Sequence, residues 1–301
     1  MPAAAIMARE LQKRYGETVA VDGVSFEVET GEFFGLLGPN GAGKTTTLEI
    51  IEGLRRPDAG EATVLGMPSW PRNPALRPRI GVQLQTSAFF ERLTAAEQIA
   101  AFARLYRVPA SRATAMLAAF GLADKAGTRV EQLSGGQRQR LSIACALVHD
   151  PEVVFLDEPT AGLDPQARRN LWDLLRGINA DGRTVILTTH YLDEAEVLCQ
   201  RVAIMDHGRI LRCGTPAELI RDAGAVSRIT VESGRLDADE LRKRFPEATV
   251  REDGDALVIA TRDPGTVLTE LAGRDAVRGL SVRGATLEDA FIALTGREYR
   301  P

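Results

Sequence analysis

The 301-residue chain has no run of about eighteen apolar residues, so nothing in it reads as a bilayer-spanning helix. Residues Met1 to Ala8 lack a basic segment followed by a long apolar core, and no signal peptide is expected. Cysteine is scarce: Cys145, Cys199 and Cys213 form no C-x-x-C pair and are expected to be reduced, buried thiols of a cytosolic protein. Excess charge is missing too. A net charge of −4 and a pI near 5.6 give no sign of a nucleic-acid surface. Only four lysines stand against thirty-three arginines, a ratio that points to a GC-rich source more than to a binding patch. What remains is an ordinary apolar fraction of 44%, ample for a core, in a chain long enough for one large domain or two of usual size.

The strongest feature present is Gly38-Pro39-Asn40-Gly41-Ala42-Gly43-Lys44-Thr45-Thr46, with the G-x-x-x-x-G-K-[ST] spacing of a phosphate-binding loop. An apolar strand signal, Phe33 to Leu37, precedes it, and Thr45 to Gly53 reads as a helix. Glycines at 38, 41 and 43 allow backbone N–H groups to turn inward, and with the positive helix end they can cradle a phosphate. Lys44 supplies a mobile charge and the Thr45 hydroxyl a ligand for Mg²⁺. Upstream, residues 6–37 alternate strand signals and turns; Tyr15 among them reads as a half-buried strand aromatic or as a flat platform for a base.

Past the loop, Pro68 to Pro78 carries four prolines, Arg79 to Leu84 is strand-like and ends at Gln85, and Thr94 to Gly121 is alanine-rich and helical. Ser134 is a natural N-cap before Gly135, Gly136 and Gln137, which makes a second anion site far in sequence from the first. Val153 to Leu156 is an unbroken apolar run ending in Asp157 and Glu158, as in a parallel strand buried on both faces. Acids at such a strand end stand where open α/β sheets bind ligands, with Asp157 placed to hold Mg²⁺ and Glu158 to orient or deprotonate water. Val185 to Thr189 is a similar strand ending at His190, which on its own reads as a satisfied hydrogen-bonding residue. Asp206-His207-Gly208 signals a hairpin. After a linker at Ala223 to Ala225 the tail reads β-α-β-β-α-β plus one helix, a split-βαβ, ferredoxin-like pattern with no reactive cluster.

Together these motifs resemble an ATP-binding cassette ATPase over about residues 6–220. Gly38–Thr45 matches Walker A, Val153–Asp157 Walker B, Leu133–Gln137 the family signature, Ala161–Asp164 the D-loop, His190 the switch histidine and Tyr15 the adenine-stacking aromatic. Gly162 departs from the residue usual in the D-loop. For the Q-loop, alignment from Ile80-Gly81 favours Gln85 over Gln83. The resemblance implies an α/β P-loop NTPase (RecA-like) core with antiparallel β and helical subdomains in residues 1–222, the helical part at about 86–150. A C-terminal α+β ferredoxin-like domain would occupy 226–301.

It implies ATP and Mg²⁺ as cofactors and a head-to-tail homodimer with ATP between one subunit's Walker A and the other's Ser134–Gln137. Lys44, Glu158, His190 and Gln85 would be catalytic; Thr45, Asp157 and Gln85 would hold the metal; Asp164 would bridge subunits. Thr286 to Phe291 and Leu294 to Arg297 resemble the end of daunorubicin-resistance-type exporter ATPases. That likeness implies a separate integral-membrane permease, with this chain at the cytoplasmic face of the membrane. A cassette ATPase acting on nucleic acid or ribosomes is the competing reading. Thr45 and Leu133 stand 88 positions apart with no heptad run of several repeats between them, and there is one cassette rather than two. Phe89 and Phe90, in the segment Thr86 to Leu93, read either as helical-subdomain core or as an edge that receives a permease helix.

Overall fold

The computed structural model describes residues 4–85, 89–233, 236–274 and 276–296. The chain divides after Thr215 into two compact units. The first runs β1 (Ala4–Tyr15), β2 (Thr18–Glu29), β3 (Phe33–Leu37), α1 (Lys44–Ile51), β4 (Ala59–Val64), β5 (Met67–Pro68) and β6 (Ile80–Gln83). It continues with α2 (Ala95–Leu105), α3 (Ala110–Ala119), α4 (Gly135–Leu147), β7 (Val153–Asp157), α5 (Pro165–Ala180), β8 (Thr184–Thr189), α6 (Leu192–Leu198), β9 (Arg201–Asp206) and β10 (Arg209–Gly214).

Among the described residues the main sheet has the order β10-β9-β3-β8-β7-β6. Strands β9 through β6 are parallel and β10 joins β9 as an antiparallel hairpin. Every residue of β3, β7 and β8 is buried, which is why these stretches read as unbroken apolar runs rather than alternating ones. A second, antiparallel sheet of order β2-β1-β4-β5 shares a core with the first, where Ile6, Leu11 and Phe26 meet Phe34, Leu36 and Ile186. The rings of Phe26 and Phe34 stack at 5.2 Å. Parallel strands all point one way, so the loops after β3, β7 and β8 gather at one edge.

The alanine-rich stretch from Thr94 to Gly121 forms two helices, because Arg107 takes a left-handed φ of 58° and Pro109 follows it. Thr94 and Glu97 make a reciprocal capping box at the start of α2. Ile99 and Ala103 of its apolar face are buried, whereas Tyr106 is only half-buried and stacks on His149 at 3.7 Å. The expectation of three buried thiols holds for Cys145 and Cys199 only; Cys213 is exposed, since it stands on β10 at the sheet edge.

The second unit comprises α7 (Pro216–Asp222), β11 (Ser227–Glu232), α8 (Ala238–Arg244), β12 (Thr249–Asp253), β13 (Ala256–Thr261), α9 (Pro264–Gly273), β14 (Ser281–Arg283) and α10 (Leu287–Thr295). Its antiparallel sheet has the order β12-β13-β11-β14. Alternate residues Ile229, Val231, Leu257 and Ile259 pack on Leu241, Val267 and Leu271 of α8 and α9. The last strand is shorter than the expected Val277–Val282, because Gly279 at φ 62° turns the chain and Leu280 N–H bonds back to Val277. Helix α7, expected to close the first domain, belongs to this unit: Leu219 is buried and α7 packs against α10.

A chain ending at Thr215 is therefore expected to fold as a unit. A chain ending at Asp222 keeps α7 without α10 and is expected to bind more hydrophobic dye through Leu219. Dye fluorescence of the two truncations, beside their circular-dichroism melts, makes the comparison; equal dye binding would overturn the assignment of α7.

Candidate active site

At the end of β3 the chain turns through Gly38 to Gly43 and enters α1 at Lys44. Two glycines here are required by space, and Gly43 by conformation as well. A Cβ on Gly43, which caps α1 at φ 101°, would lie 2.2 Å from the Ala20 carbonyl oxygen of β2. One on Gly38 would lie 2.3 Å from the Met205 carbonyl of β9. Gly38 N–H donates to Thr189 O at 3.3 Å, which ties the loop to β8. Within the loop Ala42 is buried, Pro39 and Thr46 half-buried, and Asn40 and Gly41 exposed.

Lys44 is 4% exposed, and its Nζ donates to Gly38 O at 2.8 Å and Pro39 O at 3.1 Å. It lies 3.3 Å from Glu158 Oε1. Burial lowers its pKa and the Glu158 charge opposes that shift. Asp157, the last residue of β7, accepts a hydrogen bond from Thr45 Oγ1 at 3.1 Å and another from the Thr188 hydroxyl of β8. Burial pushes the Asp157 carboxyl up and these hydroxyls pull it back.

Glu158 has a left-handed φ of 47°, which costs a non-glycine residue roughly 1–2 kcal/mol. Its N–H is held by Thr188 O at 3.1 Å and Thr188 Oγ1 at 3.0 Å. That turn aims the carboxylate between Lys44 and His190, whose Nδ1 lies 2.9 Å from Glu158 Oε2. The adjacent acids thus serve one loop through different partners, Thr45 for Asp157 and Lys44 for Glu158.

Of the two glutamines, Gln83 ends β6, is 1% exposed and donates its amide to Leu84 O at 2.6 Å. Gln85 is exposed and lines a cavity of about 240 Å³ with Thr45, Glu49, Glu52 and Asp157. Tyr15 is 42% exposed rather than half-buried, with Lys13 and Arg55 at 5.8 and 5.3 Å from its ring. It pairs with Thr18 at the β1–β2 hairpin, two residues from the Ala20 that packs on Gly43.

Ser134 to Gln137 and Asp164 form a separate group. Ser134 caps α4 in a reciprocal box, accepting from Gln137 N and donating its own N–H to Gln137 Oε1 at 2.9 Å. Asp164 caps α5, accepting from Gln166 N at 3.0 Å and Ala167 N at 2.9 Å. Gly136 lies against Ala167, so the two helix starts adjoin and Gly135 stays exposed. No hydrogen bond or ion pair among the described residues joins this group to Gly38–Thr46.

Two residues of the site went unread in the sequence. Thr188 carries both acids, yet nothing marks it within Leu187-Thr188-Thr189. Glu52 is 7% exposed and both its carboxylate oxygens lack a hydrogen-bond partner. Burial and the nearby Asp157 charge push its pKa up to about 8. Its signal was spacing: Thr45, Leu48 and Glu52 fall at i, i+3 and i+7, one helix face aimed at the site.

Residues 21–161 match the family model described as ABC transporter. Over its full length the chain is 41% identical to the whole of the Nod factor export ATP-binding protein I of Burkholderia orbicola (strain AU 1054). It is 43% identical, again over both full lengths, to the protein of that name from Paraburkholderia xenovorans (strain LB400). The chain belongs to the ABC transporter family. It is an ATP-binding, ATP-hydrolysing subunit of that family, and its fold agrees. A structure of an ATP-binding subunit of an ABC transporter superposes with a TM-score of 0.66 at 29% identity, covering 73% of this chain and 93% of that one. A dimeric post-hydrolysis cassette bound to ADP and Pi gives 0.64 at 29% identity, covering 70% and 98%.

Gly43→Ala in this ATPase is expected to abolish ATP binding, because the loop must shift to clear Ala20; fluorescent-nucleotide titration measures it. The pH dependence of stability reports Glu52. A folded pKa of about 8 against the ordinary 4.5 means its stability contribution is complete below pH 4.5 and is lost as pH rises through 8. Glu52→Gln, neutral throughout, is expected to match the native chain at pH 4.5 and to melt higher at pH 8.5. The gain is roughly 2–4 °C per kcal/mol for a unit this size. Melting curves at the two pH values decide it; a gain independent of pH would contradict the shift.

Proposed function

We propose that this ATPase is the energy-coupling subunit of an exporter, acting on a separate integral-membrane permease from the cytoplasmic face of the membrane. The observation that carries the reading is the cluster of Lys44, Glu158 and His190 beside Thr45 and Asp157, at one edge of a sheet whose helix starts at Ser134 lie apart from it. Each group is half of a phosphate pocket. The two halves meet in a head-to-tail homodimer, in which Ser134, Gly135, Gly136 and Gln137 of one subunit face Gly38–Thr46 of the other and Asp164 lies at the seam. The dimeric relative with ADP and Pi supports that assembly.

Mg²⁺ fits the donor set. A hydroxyl and one carboxylate sit 3.1 Å apart at the edge of a cavity that Gln85 also lines, and Mg²⁺ characteristically takes one or two carboxylates plus substrate phosphates. Thr45, Asp157 and Gln85 would hold it, and bound there it neutralises phosphate charge. The chain's own residues do the rest. Lys44 exchanges its carbonyl partners for phosphate oxygens, Glu158 orients and deprotonates the attacking water, and His190 holds Glu158 and reaches the terminal phosphate. Tyr15 offers its exposed ring to the adenine.

Export is favoured by the full-length likeness to proteins named for Nod factor export, and the tail motifs favour a drug-resistance-type subgroup. That name also weighs against a role on nucleic acid or ribosomes. The antiparallel order β12-β13-β11-β14 supports a ferredoxin-like second unit with a regulatory or dimer-stabilising role. Phe90, 67% exposed and held by its N–H to Gln98 Oε1 at 3.2 Å, presents an aromatic edge to a permease helix. Residues 86–88 of that segment lie outside the described residues.

Glu158→Gln is expected to keep ATP binding and to slow hydrolysis by roughly 10²–10⁴-fold, the worth of a positioned general base. Asp157→Asn is expected instead to weaken Mg²⁺ binding. Phosphate release and gel filtration with ATP–Mg²⁺ separate the two, and normal turnover by Glu158→Gln would refute the assignment. Phe90→Asp should leave ATP binding intact and uncouple hydrolysis from transport in permease-containing vesicles.

A further inference from the structure

One hydrogen-bonding contact, 2.9 Å from His190 Nδ1 to Glu158 Oε2, locates a single atom of the imidazole and not the plane of its ring. The torsion that turns such a ring is broad and roughly two-fold, and a flip about it exchanges the two nitrogens. The next residue supplies a second restraint. The ring of Tyr191 lies 4.1 Å from that of His190, tilted by 40°. Tyr191 is itself held twice. Its N–H donates to Thr189 Oγ1 at 2.9 Å, and the Arg168 guanidinium of α5 lies over its ring, 3.8 Å from the centroid. Arg168 stands in the first turn of α5, where its N–H donates to Asp164 O at 2.9 Å. Its side chain is 18% exposed, with Nη1 3.7 Å from Asp193 Oδ2 of α6. Its Nε is buried without a hydrogen-bond partner.

We propose that Tyr191 and Arg168 are positioning residues for ATP hydrolysis: the guanidinium clamps the phenol ring, and the phenol ring fixes the plane of the His190 imidazole. An arginine placed for hydrogen bonding would direct its N–H groups at carboxylates or carbonyls. Arg168 instead leaves its Nε without a partner, which is costly for a buried donor. It lays its flat face on an aromatic ring, where the cation is attracted to the π-system and the planar group stacks. Asp193, beyond hydrogen-bond length, balances the charge without turning the guanidinium away from the ring. With the imidazole plane held, Nδ1 stays on Glu158 and the other ring nitrogen is left for the terminal phosphate. A displacement of about 1 Å in such a pair costs on the order of 10²-fold in rate. Tyr191 and Arg168 act through His190, so the inference rests on the role proposed for that histidine.

The test is steady-state ATP hydrolysis by the full chain. Melting temperature is measured alongside, as is the NMR signal of the His190 ring protons, assigned by its loss in His190→Ala. Tyr191→Leu, which keeps apolar bulk without a ring, is expected to lower kcat by roughly 10- to 100-fold at nearly unchanged KM. Tyr191→Phe, which keeps the ring, should retain most of the rate. Arg168→Ala should lose less than Tyr191→Leu and should shift the His190 signal, because the phenol ring is released; it carries the test if Tyr191→Leu does not fold. Arg168→Lys, a cation without the planar face, should fall between Arg168→Ala and the native chain. Combined with His190→Ala, Tyr191→Leu should add no further loss. Native kcat in Tyr191→Leu, an equal loss in Tyr191→Phe, a loss confined to KM or melting temperature, or a native rate and signal in Arg168→Ala would each overturn the clamp. Unimpaired hydrolysis by His190→Ala would instead overturn the role on which it rests.

Discussion

One buried ammonium facing two buried carboxylates sets the terms for the nucleotide site. Lys44, Asp157 and Glu158 are each less than a tenth exposed, and charges removed from water are tolerated only when paired and hydrogen-bonded. The surroundings supply that. The Gly38 and Pro39 carbonyls take Lys44; the Thr45 and Thr188 hydroxyls take Asp157; Lys44 and His190 take the two oxygens of Glu158. The glycine loop is shaped as much by this need as by any phosphate, since its carbonyls are ligands for the lysine. Polyphosphate brings negative charge into the same space, so its arrival can replace the Lys44 pairings without leaving the ammonium bare.

The parallel sheet makes the arrangement possible. Strands β3, β7 and β8 are adjacent and run the same way, so Gly38, Asp157 and His190 arrive at one edge although they are far apart in sequence. Thr188 works twice at that edge, through its hydroxyl to Asp157 and through carbonyl and hydroxyl to the Glu158 N–H. A threonine serves because it carries an acceptor and a donor on one short branch and still suits a buried strand.

Much of this was legible in the sequence because it depends on local rules. Glycine spacing, unbroken apolar strands ending in acids, and the Ser134 cap each record a backbone requirement at one place. The hairpin at His207-Gly208 and the β-α-β-β-α-β order of the tail were equally local. What escaped reading was relational. Thr188 looks like any strand threonine until β7 lies beside it. Glu52 looks like a surface acid until the fold buries it in the lining of a cavity shared with Asp157 and Leu84. Helix α7 sits beside the linker in sequence, yet packs on α10 some seventy residues later. Cys213 differs from the other thiols only because its strand is the edge of the sheet.

The left-handed backbone of Glu158 sets local comfort against placement. Glycine is the residue that adopts this conformation at no steric cost, and the strain stays because the Thr188 bonds and the Lys44 and His190 contacts over-determine it. Any search that rewards thermal stability alone would be drawn toward relaxing this turn, and each step would discard the carboxylate that faces Lys44. On the role proposed for Glu158, durability and turnover compete here at one backbone torsion. A laboratory lineage selected for heat resistance without a hydrolysis screen would register the conflict first at this position.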